Sequence, residues 1–227
     1  EKIDIRRQPA TGRDLDADLS WLRWYQKETL EACFTQTRGI IWISTGGGKG
    51  SIIAGLTQAL PCKTLFLVHR NSLVVQQAER IADQAHVECG RVGEGRWEGF
   101  SDQHRVVCAS FQTLAKRFSK PETQQLLNEA ECLVIDEVHT LPADSYLRIA
   151  QSTPNAYWRF GFSGTPLARG DRRSVLAIGA LGKVIYRVKT DVLVDEGVLA
   201  KPKIKIIPIH QYSNKVTWNG VQKELIT

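Results

Sequence analysis

The chain has 227 residues, of which 42% are hydrophobic, 24% charged and 8% aromatic, an ordinary mix for a globular protein with a sizeable core. That balance excludes a disulfide-stapled mini-protein, a collagen-like or coiled-coil rod and a disordered tail. The net charge of +6 favours an anionic partner without identifying one.

Five scattered cysteines, Cys33, Cys62, Cys89, Cys108 and Cys132, form no C-x-x-C pair and have no histidine at metal-ligand spacing. They are expected to be buried free thiols in a reducing compartment. No apolar run approaches the roughly 20 residues that cross a bilayer, and the start, Glu1 to Arg7, has no apolar stretch of a signal peptide. A cytoplasmic protein with no membrane partner is expected. The chain contains no Met, not even at position 1, as expected of a piece of a longer or engineered chain.

In chain order, strands are expected at Gly39 to Ser44, Thr64 to Val68, Arg105 to Ala109, Cys132 to Asp136, Arg159 to Ser163 and Lys183 to Arg187, all short, apolar and rich in β-branched residues. Helical spacing marks Lys49 to Leu60, Ser72 to Gln84, Phe111 to Phe118, Asp144 to Gln151 and Thr190 to Glu196, with Ser72 and Asp144 as N-caps. Alternation of strand and helix, with strands apolar on both faces, predicts an α/β fold with a doubly wound, mostly parallel sheet. Gly90 to Ser101, carrying Gly93, Gly95 and Gly99 among charged residues, is expected to be an exposed loop. The polar segment from about Ile209 reads as a linker. Between Arg159 and Lys205, ten Lys or Arg face four acids, enough to account for the basic excess of the whole chain.

Two segments carry chemistry. Ser44-Thr45-Gly46-Gly47-Gly48-Lys49-Gly50-Ser51 lies between an expected strand and an expected helix. Strand, glycine run, lysine and helix N-terminus together form an anion trap of inward N–H groups plus one point charge, and glycine lets the backbone approach phosphate. The strict G-x-x-x-x-G-K-[ST] pattern fails twice, with Ile43 at its first glycine and Gly50 where a hydroxyl would hold Mg²⁺. Ser51 lies about 100° further round a helix and replaces that hydroxyl only if the helix start shifts by one residue. Either the loop is adapted, or metal binding is weakened, or Gly50 is an engineered change. The second segment, Leu133-Val134-Ile135-Asp136-Glu137-Val138-His139, delivers adjacent carboxylates at the strand end where open α/β sheets bind ligands. Asp136 can reach a Mg²⁺ on phosphates and Glu137 can orient or deprotonate a water.

These segments resemble motifs of superfamily 2 helicases. The glycine loop resembles the shorter [AS]-T-G-x-G-K-T form, and Asp136-Glu137-Val138-His139 resembles the D-E-x-H box. Leu22-Arg23-Trp24-Tyr25-Gln26 is similar to the L-R-x-Y-Q element, Leu67-Val68-His69-Arg70 to motif Ia, and Ser163-Gly164-Thr165 to motif III. Gly161 to Pro166, Gly182 to Tyr186 and Glu196 to Ala200 add likeness to UvsW-like repair and recombination helicases and to XPB-like and restriction-translocase relatives.

The resemblance implies a RecA-like domain over 21–208, with 1–20 as an N-terminal extension and 209–227 as the start of a linker to a second RecA-like domain. It implies an ATP-binding motor of a DNA helicase or translocase acting on branched or forked DNA, with ATP and Mg²⁺ as cofactors. The ATP site would comprise Arg23, Gln26 (adenine), Thr45, Gly46, Gly47, Gly48, Lys49 (β and γ phosphates), Gly50 and Ser51. Asp136 would take Mg²⁺, with Ser51 as a second candidate ligand, and Glu137 the water. His139, Ser163 and Thr165 would couple hydrolysis to DNA movement. His69, Arg70, Gln112 and Thr113 would touch nucleic acid, Arg169, Arg172 and Arg173 more weakly. The family's motifs IV to VI have no counterpart before Thr227, so this piece alone is expected to turn over poorly. Alternatives are the motor of a restriction complex and a nucleotide-dependent DNA-binding module with impaired hydrolysis, which Gly50 favours.

Overall fold

A computed structural model describes residues 12–141, 144–165 and 174–201. Its elements are α1 (Trp24–Gln36), β1 (Arg38–Ile43), α2 (Lys49–Ala59), β2 (Thr64–Val68), α3 (Val74–Ala85), β3 (Cys89–Gly93), β4 (Arg96–Trp97), β5 (Val106–Ser110), α4 (Phe111–Lys116), α5 (Pro121–Glu129), β6 (Cys132–Asp136), α6 (Asp144–Gln151), β7 (Trp158–Ser163), α7 (Ser174–Leu181), β8 (Val184–Val188) and α8 (Thr190–Asp195). One sheet of eight strands runs in the order β4-β3-β5-β2-β6-β7-β1-β8. Every pairing is parallel except that of β3 with the edge strand β4.

The apolar strands seen in the sequence are buried on both faces. Phe66 and Val68 point to one side with Val134, Phe160 and Phe162, where Tyr25 and Leu30 of α1, Ile52 and Leu56 of α2 and Ile81 of α3 cover them. Leu65 and Leu67 point to the other, under Leu114 of α4, Leu126 of α5, Ile149 of α6 and Leu181 of α7. The period of two along each strand thus feeds two separate cores, and the doubly wound expectation holds. The crossover from β1 to β2 passes over β7 and β6. The carboxyl ends of β1, β7 and β6 consequently open onto one crevice, the usual ligand edge of such sheets.

Several expectations change. Gly90 to Ser101 is not a loop throughout: β3 extends the sheet beside β5, and β4 returns from a turn at Gly95, whose φ is +81°. The glycines that suggested a loop serve close approach, since a Cβ on Gly90 would lie 2.4 Å from the Glu98 carbonyl oxygen. Ser72 does not cap a helix; it sits in a 3-10 turn, Asn71–Leu73, that precedes α3. Asp144 is within the first turn of α6, where a carboxylate favours the helix dipole. Helices α1, α5 and α7 were not anticipated. The cysteines are free, and all but the half-buried Cys89 are buried. Among the described residues, no helix is long and apolar enough to cross a membrane.

The basic stretch is also partly internal. The half-buried Arg159 guanidinium donates to the carbonyls of Ala150, Thr153 and Ala156, while the exposed Arg187 lies over the Trp42 ring at 4.1 Å. Arg169, Arg172, Arg173, Lys203 and Lys205 lie outside the described residues, as does the segment from Ile209. Replacing Arg159 by Met strands those carbonyls and is expected to cost about 1.5–3 kcal/mol. A thermal melt reads this as a fall of roughly 2–4 °C per kcal/mol for a chain of this size; an unchanged Tm overturns the internal role.

Candidate functional site

The loop after β1 turns through Gly46 and Gly48, both at φ +82°, a conformation that costs a side-chain-bearing residue about 1–2 kcal/mol. It is wedged from below and beside. A Cβ on Gly47 would meet Ile43 and Leu193 at under 3 Å, and one on Gly48 would lie 2.4 Å from Gln26 Nε2. Helix α2 starts at Lys49, with Gly48 as N-cap. The start of α2, where the first N–H groups of a helix have no partner four residues back, therefore lies at the crevice with Gly48, Lys49 and Gly50 in its lining.

The Leu22-to-Gln26 segment is bound to this loop. Tyr25 Oη donates to the Gly47 carbonyl at 3.1 Å, and Gln26 Nε2 reaches the Gly48 carbonyl at 3.5 Å. Gln26 Oε1 accepts from the Arg23 N–H at 2.9 Å, so the buried Gln26 has both polar ends engaged. Arg23 itself is exposed. Tyr25, which the sequence offered only as part of a motif, is the residue that supports the loop from within the core.

Across the crevice, Lys49 Nζ pairs with Glu137 Oε1 at 2.5 Å and stands 3.6 Å from Asp136 Oδ1. Asp136 Oδ1 also accepts the Glu137 N–H at 3.0 Å. Burial pushes the Asp136 carboxyl above its ordinary value; the Lys49 charge works against that shift and the Glu137 charge adds to it. Glu137 holds φ +51°, a strained left-handed backbone of the kind found where a side chain must be aimed. Its Oε2 accepts from Ser163 Oγ at 3.3 Å and lies 3.2 Å from His139 Nδ1. His139 Nδ1 and Ser163 Oγ are 3.0 Å apart, and Ser163 Oγ accepts the Thr165 N–H at 3.2 Å. A continuous polar chain thus runs from the glycine loop through the acidic strand end to the end of β7.

A cleft of about 250 Å³ lies beside this chain and is lined by Thr45, Gly46, Gly48, Lys49 and Gly50, by Gln77 and Arg80 of α3, and by Asp136 and Glu137. Ser51 does not line it, because α2 begins at Lys49 without the shift that would bring its hydroxyl round. Mg²⁺ fits one side alone. Asp136 offers a carboxylate, but position 50 has no hydroxyl to face it, Thr45 being the one hydroxyl-bearing loop residue in the lining, and Arg80 packs against Gly50 instead. Among the described residues, no cluster of three His, Cys, Asp or Glu can hold a metal ion. A Mg²⁺ on nucleotide phosphates needs only one or two protein ligands, and of the ordinary pair the site keeps the Asp136 carboxylate and lacks the hydroxyl at position 50.

The nucleic-acid candidates form a separate group at the carboxyl ends of β2 and β5. Asn71 Oδ1 accepts from Thr113 Oγ1 at 2.9 Å and from Ser110, and Ser110 Oγ caps α4 through the Thr113 N–H at 3.0 Å. Thr113 is thereby committed to the cap, while Arg70 and Gln112 are exposed. His69 sets its ring edge-on to Tyr146 at 5.7 Å, and its Nδ1 is buried without a hydrogen-bond partner. Asn71 and Ser110 were not singled out as site residues; no motif flagged Asn71, since only the sheet brings it to Thr113.

The family model of the type III restriction enzyme res subunit matches residues 20–168, from the start of the Leu22-to-Gln26 element through the end of β7. The chain belongs to this family. The chain is 29% identical over 205 residues to DNA 3'-5' translocase XPB2 of Sulfurisphaera tokodaii, covering 90% of this chain and 44% of the relative. It is 24% identical over 214 residues to ATP-dependent DNA helicase uvsW of Enterobacteria phage T4, covering 89% and 41%. The chain spans less than half the length of these curated relatives. A crystal structure of the bacteriophage T4 UvsW helicase superimposes with a TM-score of 0.59 at 22% identity, over 72% of this chain and 59% of that one. A type ISP restriction-modification enzyme, LlaGI, gives 0.59 at 15% identity, over 78% and 18%. These likenesses bear out the RecA-like α/β fold of a first superfamily 2 helicase domain.

Proposed function

We propose that residues 21–208 of this res-family chain form the first RecA-like motor domain of an ATP-dependent DNA helicase or translocase, which works with a second RecA-like domain on branched or forked DNA, and that 1–20 and 209–227 are its extension and linker. The observation that carries this reading is the polar chain from Lys49 through Glu137 to His139, Ser163 and Thr165. A site that only held nucleotide would need the loop; it would not need to be wired to a neighbouring strand end. The relatives named for DNA translocase and helicase activity support the substrate.

In this reading the loop N–H groups and Lys49 bind the β and γ phosphates. Nucleotide must take Lys49 from Glu137, because one ammonium now serves that carboxylate. The freed Glu137 then orients water against the γ phosphorus. The new P–O bond forms as the bond to the β-phosphate oxygen breaks, ADP leaves, and the water's proton passes to Glu137. His139 and Ser163 sense the released carboxylate and pass the change to Thr165. Gln26 meets adenine with the amide N–H and oxygen lone pair that its Gly48 and Arg23 contacts leave over. His69, Arg70 and Gln112 would hold phosphates and sugars without reading sequence.

Gly50 favours a second reading, a nucleotide-gated DNA-binding module with impaired hydrolysis. DNA-stimulated ATP hydrolysis by the full-length protein separates the two. Turnover that rises on adding forked DNA supports the motor; nucleotide binding with no turnover at any DNA concentration supports the module. A motor that moves duplex without separating the strands of a fork is of the restriction type.

A further inference from the structure

The anomaly at position 50 has a partner in the fold. A Cβ built on Gly50 would lie 2.7 Å from Arg80 Cδ, 2.9 Å from its Nε and 3.0 Å from its Nη1. A Thr or Ser at 50 would therefore require the exposed end of the Arg80 side chain to swing away from its present place. Arg80 comes from α3, 30 positions along the chain, and it lines the same cleft as Lys49 and Asp136. It is exposed and makes no ion pair with any described residue. Lys49 by contrast is engaged by both carboxylates.

The charges lining the cleft make the arrangement intelligible. Lys49 and Arg80 face Asp136 and Glu137, so without Arg80 the cleft would present net negative charge to a polyphosphate. A metal ion ordinarily answers that problem, and Gly50 removes the hydroxyl that would help to hold it there. A guanidinium carries the missing charge permanently, and its fork of N–H donors matches phosphate oxygens.

We propose that Arg80, admitted by Gly50, is a built-in cation that clamps the nucleotide's polyphosphate at the wall where a loop hydroxyl would otherwise hold a metal, making nucleotide binding independent of divalent cations. This rests on the reading of the cleft as a nucleotide site. Gly50 is on this account a compensated change, matched by α3, rather than simple damage to the loop.

The test is titration of the full-length protein with a fluorescent ATP analogue, in Mg²⁺ and in EDTA. The natural protein is expected to bind within about threefold under both conditions. Arg80→Ala, a change at an exposed site, is expected to weaken binding in EDTA by about tenfold or more, in keeping with loss of a charge-assisted phosphate contact. Gly50→Thr, which pushes Arg80 aside and supplies a hydroxyl, is expected to make binding depend on Mg²⁺. Loss of binding by the natural protein in EDTA overturns the clamp, as does an Arg80→Ala protein that binds normally there. Lys49→Ala separates the two levels of inference. If it leaves binding intact, the nucleotide reading itself falls; if it abolishes binding while Arg80→Ala does not, the nucleotide reading stands and the clamp falls.

Discussion

Glu137→Gln is expected to reduce DNA-stimulated ATP turnover by about 10²–10⁴-fold, the usual contribution of a positioned general base, while nucleotide affinity holds or rises. The reasoning begins with Lys49. Its ammonium sits 2.5 Å from Glu137 Oε1, so phosphate competes with this carboxylate for the same charge. A glutamine keeps the shape and can still accept from Ser163, which stands 3.3 Å from Oε2. It holds Lys49 more weakly, since the attraction of opposite charges is gone, and it cannot take a proton from water. Binding and turnover should thus move in opposite directions, a split that general misfolding would not produce. Steady-state hydrolysis with saturating DNA, paired with nucleotide titration, measures both. Turnover within tenfold of the natural protein would remove Glu137 from the chemistry.

Most of this site was legible because its residues are contiguous in sequence. A glycine run before Lys49, and carboxylates after an apolar strand, are local patterns whose chemistry follows from residue type. The six anticipated strands were visible for a related reason, since burial on both faces leaves an unbroken apolar run such as Leu65-Phe66-Leu67-Val68. What escaped depends on distance along the chain or on neighbours. Strand β3 carries glycines because Glu98 crosses close above Gly90, and composition alone reads such glycines as loop. Helix α5 is short and begins with Pro121 at its first turn, where proline fits a helix start as well as it breaks an interior. Gly50 was visible as an exception to its motif, but Arg80 was not, because nothing in the sequence of α3 says which residue will reach the loop. Arg159 failed in the opposite sense: it counted towards a basic surface, and the fold spends its donors on carbonyls of α6 and the following turn.

Asp136→Asn is expected to raise the Tm at neutral pH while lowering ATP turnover by tenfold or more. Burial lifts the Asp136 carboxyl above its ordinary value of 3.8, and the Lys49 charge only partly offsets this. A raised value means that the folded chain holds this proton more tightly than the unfolded one. The stability contributed by the group is accordingly complete below about 3.8 and is lost as pH rises through the higher folded value. At neutral pH the native protein therefore carries a charge that its surroundings disfavour. Asparagine removes that charge and retains an oxygen for the Glu137 N–H, which Oδ1 now accepts at 3.0 Å. The gain should appear as about 2–4 °C in Tm for each kcal/mol relieved, and it should vanish in melts run below the ordinary carboxylate value, where both proteins are neutral at this position. A Tm that falls at neutral pH would show that the Lys49 pairing outweighs burial. A rise in stability joined to a loss of turnover is the mark of a group kept for function at the expense of the fold, and it would place Asp136 with Glu137 in the working part of the site.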